Sequence, residues 1–316
     1  MTKQNNNLAF VFPGQGSQSI AMMSELAESY SLVKQIFEQA SDVLGFDLWQ
    51  LVQQGPAEDL NQTHNTQPAM LAAGVAMWLV WKEQSSIIPG WLAGHSLGEY
   101  SALVCAEAIT FEQGIALVAE RGRLMQQAVP AGVGAMAAIL GLKDQQVIDT
   151  CTACAENEIV AAVNFNAPGQ VVIAGHVAAV ERTMAAAKEA GAKRALKLPV
   201  SVPSHCALMK PAAEKLYEKL QAISINEPKI TIIHNADVAS HSSADEIQIA
   251  LKEQLFKPVR WVDSIRYIHE QKVSHFVECG PGKVLMSLNK RIAKGAGHQT
   301  MYDSATLEKV LEQING

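Results

Sequence analysis

The sequence predicts an α/β fold in which one large domain carries a smaller inserted domain. Short apolar segments of strand length alternate with amphipathic helical segments in residues 8–128 and again in residues 229–314, an alternation typical of α/β folds. Between these parts, residues 134–200 follow the order βαββαβ, which is that of a ferredoxin-like unit. We therefore predict a discontinuous large domain, residues 1–132 and 202–316, and an inserted domain, residues 133–201.

Composition excludes several classes of function. The chain has 316 residues and a net charge of -6, and no run of basic residues is longer than two, so nucleic acid and anionic membranes are poor partners. Residues 1–7 are polar and lack the apolar core of a signal peptide, and the longest nearly apolar run, residues 70–81, is too short to span a bilayer. Five scattered cysteines favour a reducing cytoplasm over a disulfide framework.

A glycine-rich loop follows the first predicted strand, residues 8–12. The loop, Pro13-Gly14-Gln15-Gly16-Ser17-Gln18, leads into a helical segment, residues 20–43, with a break near Ser31. It lacks the lysine and the spacing of a phosphate-binding loop. Two interpretations stay open: an amide that stabilises an oxyanion, or a plain turn between strand and helix. A buried helix is predicted next, over residues 67–84.

The pattern Gly94-x-Ser96-x-Gly98 lies between an apolar run, residues 91–93, and a helical run, residues 99–107. Strand, Gly-x-Ser-x-Gly and helix in this order are typical of a nucleophile elbow, and hence of an α/β-hydrolase-like domain. The glycines allow a sharp turn, which exposes the serine hydroxyl. The amide of Leu97 has no partner within the helix and can stabilise a substrate oxyanion. The alternative is an ordinary serine in a glycine-bounded turn.

The predicted helix over residues 111–128 carries an arginine on its apolar face. At about 100° per residue, Arg121 falls inside the apolar arc, whereas Glu120 and Arg123 fall outside it. A buried guanidinium is costly unless it meets an anion. The anion is either an internal carboxylate in a structural salt bridge or the carboxylate of a substrate, which the guanidinium fork matches.

The inserted domain is predicted from its apolar periodicity. Its segments are strand 134–140, helix 143–156, strands 159–165 and 171–174, helix 176–190 and strand 195–200. The pair Cys151-x-x-Cys154 lies in a helical pattern without a second pair, so a zinc or redox site is not expected.

The segment Val202-Pro203-Ser204-His205 returns the chain to the large domain. Ser204 is predicted to cap a helix over residues 208–220, and His205, held between rigid neighbours, is the best candidate among nine histidines for a catalytic base. The remaining predicted elements are strand 229–233, helices 243–254 and 262–270, strand 275–278, helix 283–292, strand 300–302 and helix 307–314.

Six segments together resemble one family, in its order and spacing and over nearly the whole chain. They are Phe12-Pro13-Gly14-Gln15-Gly16-Ser17-Gln18, the elbow from Gly94 to Tyr100, Arg121-Gly122, Asn164-Phe165-Asn166-Ala167-Pro168-Gly169-Gln170, Pro203-Ser204-His205 and Glu278-Cys279-Gly280-Pro281-Gly282. The chain is similar to the malonyl-CoA:acyl-carrier-protein transacylases of type II fatty acid synthesis, relatives of the acyltransferase domains of fatty acid and polyketide synthases.

The resemblance implies a role for each candidate residue. Ser96 is the nucleophile, His205 its base, and Arg121 binds the free carboxylate of the malonyl group. The remaining assignments are backbone amides of Gln15 and Leu97 for the oxyanion hole, the backbone carbonyl of Gln254 to orient the histidine, and the side chains of Gln67 and Asn166 to line the cleft. No third carboxylate is therefore expected.

The implied reaction is ping-pong transfer of malonyl from malonyl-CoA through Ser96 to the phosphopantetheine thiol of acyl carrier protein. No metal or redox cofactor, nucleic acid or membrane is expected to take part, and we expect a cytoplasmic monomer. The main alternative is an esterase or thioesterase of the α/β-hydrolase type, which requires an acid between serine and histidine, such as Asp144 or Asp149. A docking module with an inactive site is the non-enzymatic alternative.

Overall fold

The computed structural model describes residues 3–130, 132–200 and 202–315. Its strands are β1 (Lys3–Phe12), β2 (Ile87–Gly94), β3 (Gly134–Leu140), β4 (Val160–Ala167), β5 (Gln170–His176), β6 (Arg194–Lys197), β7 (Thr231–Ile233), β8 (His275–Cys279) and β9 (Gly297–Met301). Its helices are α1 (Ser24–Ser29), α2 (Ser31–Leu44), α3 (Leu48–Gln54), α4 (Ala57–Leu60), α5 (Thr63–Gln84), α6 (Gly98–Cys105), α7 (Phe111–Ala128), α8 (Asp144–Cys154), α9 (Val177–Glu189), α10 (Lys210–Gln221), α11 (Ala244–Gln254), α12 (Trp261–Glu270), α13 (Val284–Ile292) and α14 (Ser304–Asn315).

The first sheet has five parallel strands in the order β7-β2-β1-β8-β9. The chain winds outward from β1 in both directions, so the carboxyl ends of β1 and β8 flank the point where the strand order reverses. In open α/β sheets, ligands bind in the crevice at this point. The predicted glycine-rich loop follows β1, and the predicted elbow follows its neighbour β2.

Alternation of side chains along β1 builds a core on each face of this sheet. Leu8, Phe10 and Phe12 belong to the larger apolar cluster, which includes residues of α2, α5, α7 and α10. Ala9 and Val11 belong to the smaller cluster with α12 and α13. Successive side chains of a strand point to opposite faces, so this segment is apolar throughout because both of its faces are covered.

The second sheet is antiparallel, with the order β4-β5-β3-β6. Helices α8 and α9 pack on it, and their apolar residues share one buried cluster with β3, β4 and β5. If β3 to β6 are numbered 1 to 4, the order read from the β6 edge is 4-1-3-2. The predicted ferredoxin-like unit is confirmed.

The segment around Val259, between α11 and α12, hydrogen-bonds to β4 of the second sheet. The Phe165 amide donates to the Val259 carbonyl (3.0 Å), and the Val259 amide donates to the Val163 carbonyl (2.8 Å). The segregation of strands into two sheets is compatible with the predicted domains, residues 1–132 with 202–316 and residues 133–201. This division stays a proposal. Ala131 and Ser201, close to the predicted boundaries, lie outside the described residues.

The structure corrects several details of the sequence prediction. Helix α5 begins at Thr63, one turn before the predicted start, and the short helices α3 and α4 were not predicted. Ser204 does not cap a helix: a 3-10 turn (Ala207–Met209) separates it from α10, which carries Pro211 in its first turn. None of the helices in the described ranges is long and apolar enough to cross a membrane.

Candidate active site

The turn between β2 and α6 places Ser96 at the carboxyl edge of the parallel sheet. Ser96 has a left-handed backbone, φ 52°, which costs energy in a residue with a side chain. A Cβ on Gly94 would lie 1.8 Å from the carbonyl carbon of Gly98, and one on Gly98 would lie 2.1 Å from the Phe12 oxygen. Only glycine fits at these two positions, and the predicted nucleophile elbow is therefore present in the structure.

His205 lies within hydrogen-bonding distance of Ser96, although 109 positions separate them in the chain. The Ser96 hydroxyl donates to Nε2 of His205 (2.8 Å), because the opposite nitrogen, Nδ1, donates to the backbone carbonyl of Gln254 (2.7 Å). This second bond leaves Nε2 as the bare nitrogen that a general base needs. The geometry matches the expected nucleophile and base.

Among the described residues, no carboxylate hydrogen-bonds to His205 in the way that an α/β-hydrolase requires. Asp144 and Asp149 lie on α8 in the inserted segment, and the Asp149 carboxylate accepts from Gln145 on the same helix (2.8 Å). A neutral backbone carbonyl occupies the place of the acid. The described residues therefore do not form the serine–histidine–acid triad that the hydrolase alternative required, and this part of that alternative is wrong.

Burial keeps the His205 ring uncharged. The side chain is 3% exposed, and burial together with the nearby Arg121 guanidinium lowers the pKa of His205 to about 3, against the opposing effect of the Gln254 carbonyl. Loss of hydration disfavours the imidazolium, and so does a like charge. At neutral pH the ring is ready to accept a proton.

Arg121 is buried beside the nucleophile and makes no ion pair with any carboxylate of the described residues. Its Nη2 donates to the Ser96 hydroxyl oxygen (3.1 Å) and to Oε1 of Gln254 (2.9 Å), and its Nη1 donates to Oε1 of Gln67 (2.8 Å). The salt bridge to an internal acid, one of the two alternatives for this residue, is wrong. A buried guanidinium held only by neutral acceptors can still bind an anionic ligand.

Two residues proposed for the oxyanion hole line the same cavity as Ser96. The loop after β1 approaches the elbow closely, since a Cβ on Gly14 would lie 2.5 Å from the His95 carbonyl oxygen. Gln15 and Leu97 both line the cavity, and within the described chain neither backbone N–H donates to another backbone group or side chain. The arrangement fits the expected oxyanion hole.

Asn166 and Gln67 also line the cavity, as expected. Nε2 of His95 and Oδ1 of Asn166 lie 2.8 Å apart, a contact that connects β4 of the inserted segment to the elbow. Gln67 binds Arg121 with its oxygen, and its nitrogen lies 3.6 Å from the sulfur of Met125.

Sequence reasoning missed two residues that support the site. Oδ1 of Asn235 accepts from the Ser96 amide (2.7 Å), and Nδ2 of Asn235 donates to the Gly94 carbonyl (2.7 Å). Glu99 is fully buried next to it. The only signal for Glu99 was a charged residue inside an otherwise apolar helical run, and Asn235 gave no signal beyond its place after a predicted strand.

The cavity has a polar end and an apolar wall. Its volume is about 200 Å³, and Ser96, His205 and Arg121 form the polar end. One part of the wall comes from the inserted segment and includes Met136 on β3 and Val172 on β5, and another part comes from α13 and includes Leu288. The site can therefore hold a small anionic acyl group against the arginine while an apolar surface shields the serine.

Comparisons with known proteins give one consistent family. A family model described as "Acyl transferase domain" matches residues 9–307. The malonyl CoA-acyl carrier protein transacylase of Escherichia coli K12 is 54% identical over 304 residues, which are 96% of this chain and 98% of that protein. An acyl carrier protein S-malonyltransferase of Vibrio cholerae is 56% identical with a TM-score of 0.94, covering 96% of this chain and 99% of that one. A malonyl-transacylase solved with a holo acyl-carrier protein of a type II polyketide synthase is 54% identical with a TM-score of 0.96, covering 97% and 99%.

Proposed function

Because this chain belongs to the acyltransferase family, among malonyl CoA-acyl carrier protein transacylases, we propose that its Ser96 site transfers malonyl from malonyl-CoA to the phosphopantetheine thiol of acyl carrier protein. One observation carries the assignment of residues: the Ser96 hydroxyl lies 2.8 Å from Nε2 of His205 and 3.1 Å from Nη2 of Arg121. Nucleophile, base and the binding group for the acyl carboxylate thus meet at one oxygen atom.

The first half-reaction loads the serine. His205 takes the proton of the Ser96 hydroxyl through Nε2 while the oxygen attacks the thioester carbonyl of malonyl-CoA. The carbonyl oxygen becomes an oxyanion, which the amides of Gln15 and Leu97 stabilise, an effect often worth about 3 kcal/mol for one donor. The C–S bond then breaks, the coenzyme A sulfur takes the proton from His205, and malonyl-Ser96 remains.

The second half-reaction reverses the chemistry with a different thiol. The phosphopantetheine thiol of the carrier protein gives its proton to His205 and attacks the ester carbonyl. The same amides hold the second oxyanion, and collapse returns the proton to the Ser96 oxygen. The two substrates use the site in turn, so the kinetics are ping-pong, and the product supplies fatty acid biosynthesis.

Arg121 selects the acyl group. Its positive charge and its Nε–H, which has no partner among the described residues, are available to the terminal carboxylate of malonyl, and burial strengthens this charge-assisted pair. Binding of the carboxylate fixes the far end of the acyl chain and aligns its thioester with Ser96. A neutral acyl group leaves the guanidinium without that partner.

The proposed chemistry draws on side chains and amides of one chain, so it needs no metal or redox cofactor, and a monomer suffices. We propose a cytoplasmic location, where coenzyme A thioesters and reduced thiols coexist. The five cysteines are free, which is compatible with such a compartment.

Intact-protein mass spectrometry tests the proposal. Incubation with malonyl-CoA is expected to add one malonyl group to the wild-type chain and none to Ser96→Ala. Addition of holo carrier protein is expected to remove the adduct and to produce malonyl carrier protein. Release of coenzyme A at the same rate with and without carrier protein would indicate a hydrolase, and a folded wild-type chain without adduct would indicate an inactive docking module.

A further inference from the structure

Glu99 is a fully buried carboxylate that the proposed chemistry does not use. It lies in the first turn of α6, three positions after the nucleophile, and is 0% exposed. Three N–H groups donate to it: Nδ1 of His234 (2.7 Å), the backbone amide of Asn235 (2.9 Å) and Nε2 of Gln254 (3.0 Å). Three donors stabilise a buried carboxylate. The residues that supply these donors show which part of the site the carboxylate supports.

Gln254 is the donor that leads to the active site. Its NH2 group is shared between Oε2 of Glu99 (3.0 Å) and the backbone carbonyl of Ser96 (2.9 Å). Its oxygen accepts from Nη2 of Arg121 (2.9 Å). Both neighbours of the NH2 group can only accept, so they fix the orientation of the amide.

We propose that Glu99 is a positioning residue for malonyl selectivity, because it holds the Gln254 amide with its oxygen, and not its NH2 group, toward Arg121. The inference rests on the proposed function, in which Arg121 binds the acyl carboxylate. Without an acceptor at position 99, the Gln254 NH2 group keeps only one of its two partners. Rotation of the amide, which sets its NH2 group against the guanidinium and moves Arg121 away from Ser96, is then opposed less strongly.

The proposal concerns hydrogen-bond acceptance and not charge, and the two can be separated at this position. A glutamine at 99 keeps one oxygen, which can still accept from Asn235 and Gln254. Its NH2 group would then face Nδ1 of His234, which becomes an acceptor if the ring moves its proton to Nε2. In the described structure Nε2 of His234 has no partner, so this change of tautomer breaks no existing bond.

The experiment compares Glu99→Gln and Glu99→Met, which have similar shape, by loading of Ser96 from malonyl-CoA and from acetyl-CoA. The measured quantity is the ratio of the two kcat/KM values. Loss of a hydrogen bond to a charged group predicts that Glu99→Met lowers the malonyl-to-acetyl ratio by about tenfold or more, while Glu99→Gln stays within about threefold of the wild type. An unchanged ratio in Glu99→Met, or an equal loss in both variants, would overturn the proposal.

Two further variants make the result specific. Gln248→Met removes another buried amide of α11, which donates to the Leu220 carbonyl (3.1 Å), and it is expected to lose stability without a change in the ratio. Arg121→Ala reports on the proposed function alone: if it leaves the ratio unchanged, the carboxylate-binding role itself fails. If it lowers the ratio but Glu99→Met does not, only the positioning role fails.

Should Glu99→Met not fold, Gln254→Met tests whether the Gln254 amide, through which Glu99 is proposed to act, holds Arg121. This variant removes the side-chain amide and keeps the backbone carbonyl that orients His205. A fall of the malonyl-to-acetyl ratio by about tenfold is expected, and an unchanged ratio would contradict the proposal. Thermal unfolding of every variant accompanies the kinetics.

Discussion

At the scale of single residues, the two key side chains of the site, Arg121 and His205, each lack, among the described residues, the charged partner that usually accompanies them when buried. Arg121 is buried without a carboxylate, and His205 is buried without an acid. Both absences, which concern the described chain, leave capacity for the substrate: the guanidinium can take an anion, and the imidazole can take a proton. A structural salt bridge at either residue would have removed that capacity.

Replacement of Arg121 by alanine is expected to lower malonyl loading far more than acetyl loading. The variant loses charge-assisted hydrogen bonds that only the malonyl carboxylate makes, so the ratio of the two kcat/KM values should fall by about 10- to 100-fold. Arg123→Ala is the control, because Arg123 lies on the same helix, is exposed and pairs with Glu120. Equal losses for both acyl groups in Arg121→Ala would contradict the role.

His205 is expected to make stability depend on pH on the acid side. The pKa of the folded state, about 3, lies below the value of about 6.5 for an unfolded chain. The unfolded state therefore binds the proton first, and the free energy of unfolding falls as pH drops from about 6.5 toward 3. Above 6.5 both states are neutral at this residue and its effect on the slope vanishes.

Chemical denaturation of the wild type and of His205→Gln between pH 8 and pH 4 measures this effect. The difference in unfolding free energy between the two proteins should be flat above pH 7 and should shift in favour of the variant as the pH falls. A difference that does not change with pH would mean that the folded and unfolded states bind the proton equally.

The sequence predicted Ser96, His205 and Arg121 because each lies in a motif of characteristic order, and it predicted Gln254 only through the family resemblance. It did not predict Glu99 or Asn235, which act through hydrogen bonds between segments more than 130 positions apart. Such bonds depend on how β2 and β7 pair in the sheet, and no local pattern encodes that. It also predicted only the backbone of Gln254, whereas the side chain binds Arg121.

At the scale of secondary structure, the tight packing of the elbow against β1 is expected to make Gly98 irreplaceable. A Cβ there would lie 2.1 Å from the Phe12 oxygen, and backbone cannot move aside without separating β1 from β2. We expect Gly98→Ala to lose about 4 kcal/mol or more of unfolding free energy, or not to fold.

Gly45→Ala is the matched control for this prediction. Gly45 has φ 76°, and an alanine Cβ at this position would meet no atom of the described chain within 4 Å. Only the left-handed backbone therefore opposes alanine, at about 1 kcal/mol. Urea denaturation of both variants measures the difference. Similar losses for Gly45→Ala and Gly98→Ala would show that close approach at the elbow is unimportant.

Element prediction succeeded where apolar periodicity extended over a whole element and failed where tertiary contacts set the ends. Helix α7 agrees with its predicted bounds, and its start is fixed by a capping box at Thr110 and Gln113. Helix α5 begins before the predicted start because Thr63 and Thr66 are buried against neighbouring segments. The Thr66 hydroxyl donates a hydrogen bond to the Leu60 carbonyl (2.6 Å). Pro68, the second residue of the predicted helix, therefore lies inside α5 and not at its start.

At the scale of the whole molecule, the inserted sheet is expected to move as one body with the catalytic sheet. The amides of Phe165 and Val259 bridge the two parts, and Val259 is fully buried. Hydrogen exchange should therefore protect these two amides as strongly as the amides of β3 and β5. Fast exchange at both, with the two sheets still protected, would mean that the parts separate readily and that the cavity wall is mobile.

The βαββαβ order of the insert was readable from sequence because each of its elements is local. The sequence did not show which side of the insert faces the elbow, since that depends on the contact of Asn166 with His95 and on the bridge at Val259. The position of the apolar cavity wall was therefore known only from the structure.

The carbonyl that orients His205 has a consequence for the fate of the acylated enzyme. A carboxylate in its place would raise the proton affinity of the ring further, whereas the neutral carbonyl only partly offsets burial and the Arg121 guanidinium, which lower the pKa of His205 to about 3. A weak base assists an acidic nucleophile far better than a poorly acidic one, and a thiol has a pKa of about 8.5 against about 15.7 for water. Thiolysis of the ester therefore needs less help from this base than hydrolysis does, and we expect the loaded serine to persist until a carrier thiol arrives.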